Sequence, residues 1–414
     1  MVEMNILFCD RLRPRSPDGQ STHIHEVLSG LSKIGHNIVP LNADYAKDEG
    51  EGATNMRASA WTRIKGGVSQ SRITKPIIGE ITVLWSFLYA IYIFVSAFII
   101  IARRKRRFDV IYRRHCLLNV EYLLARLFRI PSVKEVNGIV ADGIRITKQG
   151  DRVSLWVIDR IERFNMPKAD KIIVVTPKLK ELLHLEYGAE SDRITVIQNG
   201  ANTDLFRPMD VIRVREELNL RQDCNYICFV GILVQWQGIE YVIRSMPPVL
   251  GECPQTQLII VGDGQMKQEL INLAEQVGVL NKTIFTGRVP YHKVPLYMNA
   301  SDVCVAPFTR ERNERMGVSA MKIGEYMACS KPVAASRLAG LEFIEDCNAG
   351  ILVTPEDSQE FADAIIKLLQ DPELRKQMGE NGRKYIFANL SWESVAKRVA
   401  EVLSDATRTS SKES

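Results

Sequence analysis

Short, unbroken apolar runs recur along this chain, and stretches with helical spacing separate them. NILFC begins at Asn5, FDVIYR at Phe108, KIIVVT at Lys171, YICFV at Tyr226, QLIIV at Gln257, VCVA at Val303, VAAS at Val333 and GILV at Gly350. Runs that are Ile/Val-rich and do not alternate with polar residues read as strands covered on both faces, and such strands belong to parallel sheets. Between them lie helical patterns, as in STHIHEVLSGLSKIG, where Ile24, Val27, Leu28, Leu31 and Ile34 share one face. Strand, helix and strand in repetition, joined by right-handed crossovers, build doubly wound domains. The chain is therefore an α/β protein, and the alternation restarts after a turn-rich segment at Asn199–Pro208, so two Rossmann-like parallel-sheet domains facing a cleft are expected.

Length agrees, because 414 residues exceed what one core comfortably serves. The balance of 54 basic and 49 acidic residues leaves a net charge of +5, too mild to point to nucleic acid. Eight cysteines are scattered without a Cys-x-x-Cys pair, which argues against a zinc site and a disulfide framework and for a reducing compartment. The first residues, MVEMNILFCD, already read as a strand, so no secretory leader is expected. His23 and His25 read as surface residues of the first helix. Residues 44–80 are polar and show no period.

The stretch Ile81–Ala102 carries no charge, and Arg103-Arg104-Lys105-Arg106-Arg107 follows it. As a helix it would measure about 33 Å, enough to cross a bilayer. The next run, FDVIYR, belongs to the sheet begun at Asn5, and a true span would divide that sheet between two sides of a membrane. The favoured reading is a helix half in the core and half facing a membrane, its basic end on anionic headgroups, with 81–107 holding the protein at the cytoplasmic face. A fully buried helix with a solvated basic cap and a genuine span remain as alternatives.

Glu311–Ser336, ERNERMGVSAMKIGEYMACSKPVAAS, reads as a charged loop, a Gly/Ser turn, a short helix and a buried strand. Ser319 is the expected N-cap. Free N–H groups at the helix start, near Ala320 and Met321, suit a phosphate; Lys322 adds a full charge, and Glu325 lies one turn on, where a carboxylate can accept hydrogen bonds from a ribose. An ordinary surface βα unit with Lys322 and Glu325 solvated is the competing reading.

The run S-A-M-K-I-G-E-Y-M-A-C-S-K-P-V resembles the nucleotide-sugar clamp of glycosyltransferase family 4, whose pattern is Ser-Pro-x-Lys-x-x-Glu-Tyr-Met-Ala-x-Gly-Lys-Pro-Val; Ala320 replaces the Pro, and Cys329-Ser330 the small-Gly pair. The resemblance covers nearly the whole chain and is strongest from Ile194 to Val353. It implies a GT-B architecture: an acceptor-side domain over 1–207, a nucleotide-sugar-binding domain over 208–390, a terminal helix over 391–406 that crosses back, and a disordered tail over 407–414. It implies a retaining transferase that moves a sugar from a nucleotide-diphosphate sugar to a lipid-linked or polysaccharide acceptor, with no cofactor. No Asp-x-Asp pair exists, so no metal is expected. Lys322, Glu325 and Asn137 are the implied catalytic residues. Gly231, Gln237, Gly287, Arg288, Val289, Ala320, Met321, Lys322 and Glu325 are the implied donor contacts, and Asp18, Gly19 and Gln20 the implied acceptor-side loop.

Three departures bear on activity. The family places Arg and Lys after the strand ending at Gly231, where this chain has Ile232 and Gln237; the first Glu of a paired-Glu motif falls at Gly317; and Asn137 stands where a sugar-positioning His is usual. Arg288, Arg312 and Arg315 are candidates to supply the missing charge. The alternative function is a catalytically degenerate paralogue that binds a nucleotide or a partner without turnover.

Overall fold

The computed structural model describes residues 3–10, 19–41, 75–103, 108–147 and 152–410. The first half runs β1 (Asn5–Phe8), α1 (Gly19–Lys33), β2 (Asn37–Pro40), α2 (Lys75–Arg103), β3 (Val110–Arg114), α3 (Val120–Phe128), β4 (Ser132–Val136), α4 (Val140–Thr147), α5 (Arg152–Asn165), β5 (Lys171–Val174), α6 (Pro177–Tyr187) and β6 (Ile194–Val196). The second runs α7 (Val211–Glu217), β7 (Asn225–Val230), α8 (Ile239–Glu252), β8 (Thr256–Val261), α9 (Lys267–Gln276), β9 (Thr283–Gly287), α10 (Val294–Ala300), β10 (Val303–Ala306), α11 (Arg310–Met316), α12 (Met321–Ala328), β11 (Val333–Ser336), α13 (Phe343–Asp346), β12 (Gly350–Val353), α14 (Ser358–Gln370), α15 (Pro372–Tyr385) and α16 (Trp392–Ser410).

Two six-stranded sheets result, ordered β2-β1-β3-β4-β5-β6 and β12-β11-β10-β7-β8-β9. Every strand pair is parallel. Strand order reverses between β1 and β3 in the first sheet and between β7 and β10 in the second. Crevices at the carboxyl ends of such reversals are where doubly wound sheets take ligands. Gly231 and Phe308 lie just beyond β7 and β10.

The first sheet is covered on one face by α1 and α16, where Val395, Ala396, Val399 and Leu403 join Ile6, Tyr112 and Val133 in one core. On the other face Ile93 and Ala97 of α2 and Leu124 of α3 pack on Leu7 and Ile111. The chain passes between the two sheets twice, and the two crossings bind each other: the Ala201 N–H donates to the Leu390 carbonyl at 2.8 Å, and the Trp392 N–H to the Ala201 carbonyl at 3.3 Å.

Several expectations need correction. Residues 407–410 are helical, not part of a disordered tail, because buried Ala406 anchors the last turn of α16 and the Thr407 and Thr409 hydroxyls donate to the Ser404 and Asp405 carbonyls; 411–414 lie outside the described residues. Arg310–Met316 is a helix, not a loop. His23 is buried rather than on the surface, its Nε2 2.5 Å from Glu135 at the end of β4. Gly19 and Gln20 open α1, while Asp18 lies outside the described residues.

The uncharged stretch forms most of α2. Ala90, Ile93 and Ala97 are buried, whereas Leu88, Ile91, Tyr92, Val95, Phe98 and Ile99 are exposed. Among the residues whose side chains are described, no helix is long and apolar enough to cross a membrane. The basic residues 104–107 lie outside the described residues.

The seam between α1 and α16 leaves no room at Gly30: a Cβ there would lie 2.6 Å from the Ala396 Cβ and 3.2 Å from the Trp392 carbonyl oxygen. Gly30→Val should destabilise the protein by about 1–3 kcal/mol, since overpacked interiors shift backbone rather than compress. Urea unfolding of the variant checks this.

Candidate functional site

The second domain builds a cleft at its strand reversal. β7 carries the chain to Gly231, whose φ of +153° few side-chain-bearing residues adopt. A Cβ there would stand 2.7 Å from the Lys322 amine, so the glycine opens the space that lysine occupies. The chain then turns through a single 3-10 turn, Gln235–Gln237. The Lys322 amine donates to Gln237 Oε1 at 2.5 Å. It also lies 4.0 Å from the centre of the Phe229 ring and 5.2 Å from that of Phe308. Lys322 thus ends in an aromatic box whose polar wall is an amide, not a carboxylate.

One turn along α12, Glu325 is buried and accepts a hydrogen bond from the Tyr291 hydroxyl at 3.0 Å. Burial pushes its pKa up to about 7, against the Tyr291 hydrogen bond and the Lys322 charge. Burial brings Lys322 down to about 7, against the pull of Glu325. Both groups therefore titrate near neutrality.

Ser319 does not cap α12. Its hydroxyl accepts from the Asn199 N–H at 2.9 Å, and its carbonyl accepts from Asn199 Nδ2 at 2.5 Å, so the residue ties the helix entry to the inter-domain link. Ala320 takes the N-cap position in extended conformation, and no side chain caps the helix. The N–H groups that open α12 keep the anion preference of any helix start.

A cleft with a cavity volume of about 140 Å³ runs along this helix entry and is walled by both domains. Asn137 and Leu179 come from the first; Trp236, Gln237, Arg312 and Ala320 are among the residues from the second. Asn137 Oδ1 is buried there with no hydrogen-bond partner among the described residues. The cleft brings together Asn137, Gln237 and Ala320; Lys322 and Glu325 do not line it, and Lys322 meets its wall through Gln237. Met321 packs with the first-domain core instead. Gly287 ends β9, Arg288 is exposed, and Val289 packs on the second-domain core; none of the three lines the cleft.

Gly317, where the family pattern has Glu, has φ +70°. A Cβ there would meet the Ala339 carbonyl oxygen at 2.9 Å and the Thr176 side chain at 3.0 Å. The position is spent on domain contact: the Thr176 hydroxyl donates to the neighbouring Met316 carbonyl. Next to it Arg315 bridges to Asp142 at 2.7 Å and to Glu186 at 2.8 Å across the domain boundary.

Sequence reasoning missed Trp236 and Tyr291. Trp236 sits inside the run that departs most from the pattern, and a large aromatic there was a signal that the loop has its own contacts. Tyr291 is separated from Glu325 by 34 positions and carried no local signal.

The two shifted pKa values predict a pH profile. Between pH 4.5 and 7 the native state holds a proton on Glu325 that the unfolded chain releases, so stability falls as pH rises. Between pH 7 and 10.5 the unfolded chain holds a proton on Lys322 that the native state lacks, so stability rises. The pair should contribute a stability minimum near pH 7, with flanks higher by on the order of 1–3 kcal/mol. Urea unfolding at pH 5, 7 and 9 should show the dip in the native protein, and the Lys322→Met, Glu325→Gln variant should lack it.

Comparison with known proteins agrees with this architecture. The Glycosyltransferase Family 4 model matches residues 17–205, and the Glycosyl transferases group 1 model matches residues 210–385. An uncharacterised glycosyltransferase of Methanocaldococcus jannaschii is 26% identical over 94% of this chain and 95% of its own. D-inositol 3-phosphate glycosyltransferase of Corynebacterium diphtheriae is 29% identical over 72% of this chain and 71% of its own. Among solved structures, sucrose-phosphate synthase of Thermosynechococcus elongatus superposes with a TM-score of 0.73 at 20% identity, covering 99% of this chain and 100% of its own. An Anabaena protein solved with UDP-glucose gives 0.66 at 19% identity, covering 97% and 100%. With a parallel α/β domain on each side of a cleft and one family model on each domain, the chain belongs to the family 4, group 1 glycosyltransferases of GT-B fold.

Proposed function

We propose that this glycosyltransferase moves a sugar, with retained anomeric configuration and without a metal, from a nucleotide-diphosphate donor to a lipid-linked or polysaccharide acceptor at the cytoplasmic face of a membrane. The observation that carries the donor half is the Lys322 amine, half-buried at the head of α12 and held by an uncharged amide. An anion that reaches it gains a charge-assisted hydrogen bond and the N–H groups of the helix start together. Glu325, ionised, accepts from ribose hydroxyls. Gly287, Arg288 and Val289 border the base, and Asn137 offers its unpaired oxygen to a hydroxyl of the transferred sugar.

Transfer breaks the bond from the anomeric carbon to the diphosphate oxygen and forms the bond to the acceptor oxygen on the same face. The acceptor's hydroxyl proton passes to the departing diphosphate, whose growing charge Lys322 and the helix start stabilise. The Anabaena neighbour was solved with UDP-glucose, which makes that the first donor to try. Nucleotide release from UDP-, GDP- and ADP-sugars, with a total-lipid extract as acceptor source, tests the reading. The Lys322→Ala, Glu325→Ala variant should lose at least ~100-fold in rate, as removal of transition-state charge contacts does. A native protein that binds nucleotide without turnover would instead be the degenerate paralogue that Ile232 and Gln237 bring to mind.

The membrane half rests on one surface. Exposed Ile91, Val95 and Phe98 of α2 lie on the face of the first sheet that also carries α3 and α5, both in contact with α2. Leu123 and Leu127 of α3 and Trp156 and Phe164 of α5 are also exposed, the last two by 61% and 67%. Arg103, Arg126, Arg129 and Arg160 are exposed on the same helices and their ends, and Arg160 lies over the Trp156 ring at 5.7 Å. Apolar side chains among arginines match an anionic bilayer surface. The protein should co-sediment with vesicles containing phosphatidylglycerol and not with pure phosphatidylcholine. Ile91→Glu with Trp156→Glu should weaken that binding by about tenfold or more, given about 1.5–3 kcal/mol for each large apolar group removed from contact.

A further inference from the structure

The family pattern puts two phosphate-binding cations after β7, and Ile232 and Gln237 fill those places here. Ile232 is 55% exposed, and Gln237 is engaged with Lys322. A diphosphate bound at the head of α12 would thus meet Lys322 with no second charge from this loop. Three arginines lie within reach in sequence, and their contacts separate them. Arg315 is spent on Asp142 and Glu186. Arg288 is exposed and does not line the cleft. Arg312, on α11, lines the cleft together with Gln237, Ser319 and Ala320.

We infer that Arg312 is the second cation of the donor site and binds the diphosphate opposite Lys322, in place of the charge absent from the β7 loop. Its guanidinium lies over the Trp236 ring, 5.3 Å from the centre, and among the described residues it forms no ion pair. Burial lowers its pKa, and the charge of Asp142 only partly offsets this. A half-buried guanidinium with no ion-pair partner of its own is poised for an anion, and its planar fork matches a phosphate edge. The mount is tied to α11: the Trp236 carbonyl accepts from Asn313 Nδ2 at 3.2 Å and from the Thr309 N–H at 3.3 Å. Trp236 and Gln237 are adjacent, and each orients one cation. This loop therefore still places two charges, by stacking and by an amide contact, although it supplies neither.

The assignment rests on the reading of this cleft as the donor site, and one titration series separates the two. Calorimetry of the full chain with UDP, GDP, ADP and CDP identifies the preferred diphosphate, which is then compared with its monophosphate in the native protein, Arg312→Gln, Arg312→Lys and Lys322→Met. Arg312→Gln should weaken the diphosphate by about 10- to 100-fold, as loss of a bidentate charge-assisted contact does, and the monophosphate by much less. Arg312→Lys should recover part of the loss, with unchanged thermal unfolding in both Arg312 variants. Equal weakening of both nucleotides, or none, overturns the Arg312 assignment. If Lys322→Met still abolishes binding in that case, the donor site stands without Arg312. Failure of the native protein to bind any of the four diphosphates overturns both.

Discussion

A parallel sheet must be covered on both faces, and much else in this protein follows from that. The first sheet's own crossovers leave room beside α1, and the chain fills it only at its end, when α16 returns from the second domain. That return forces a second crossing between domains. The two crossings lie side by side and share hydrogen bonds at Ala201, so the covering requirement of one sheet also sets the double link between the domains. Residues of this link, Asn199 among them, line the cleft. Gln198 and Asn199 on the link bind Gly340 and Ser319, and so couple the link directly to the head of α12.

Inside the cleft the charges are left incomplete. At the same boundary Arg315 is matched by two carboxylates. Among the described residues neither Lys322 nor Arg312 forms an ion pair: Lys322 contacts an amide and two rings, and Arg312 a ring. Aromatic faces stabilise a cation by less than a carboxylate does and leave its N–H groups directed at the open side. A carboxylate in either place would have satisfied the cation and blocked a phosphate. Ring and amide partners orient the cations without competing for them, and this accounts for a Gln where a charged residue is usual.

What could be read from the sequence follows the same physics. Strands buried on both faces are unbroken apolar runs, so KIIVVT and QLIIV announced both sheets, and the βα unit around Lys322 was legible because helix entry, charge and strand are local. Contacts between distant segments were not legible. His23 looked like a surface residue because its partner, Glu135, is on a strand more than 100 positions away; burial works against that carboxylate, yet His23 helps hold its pKa down to about 2. RERNERM looked like a loop because α11 buries only Asn313 and Met316, too few for an apolar stripe to appear. The charged residues that masked the helix are the ones it presents: Arg315 to the first domain, Arg312 to the cleft. The Glu absent at Gly317 has the same kind of cause, since a tight domain contact left no space for a side chain.

The apolar helix α2 gives the last constraint. Its sheet needs one buried stripe, and Ala90, Ile93 and Ala97 supply it with small and medium side chains. Sheet packing alone would leave the opposite face free to be polar, as in α16, where Glu393, Lys397 and Glu401 face water. Large apolar groups on the outer face of α2 cost solubility and add nothing to the core, at about 25 cal/mol for each Å² that could have been removed from water. Neighbouring α3 and α5 repeat the pattern with Leu127 and Trp156, and arginines border all three. Three separate helices with the same outward composition make one surface. That surface belongs to the first domain, which also contributes Asn137 and Leu179 to the cleft.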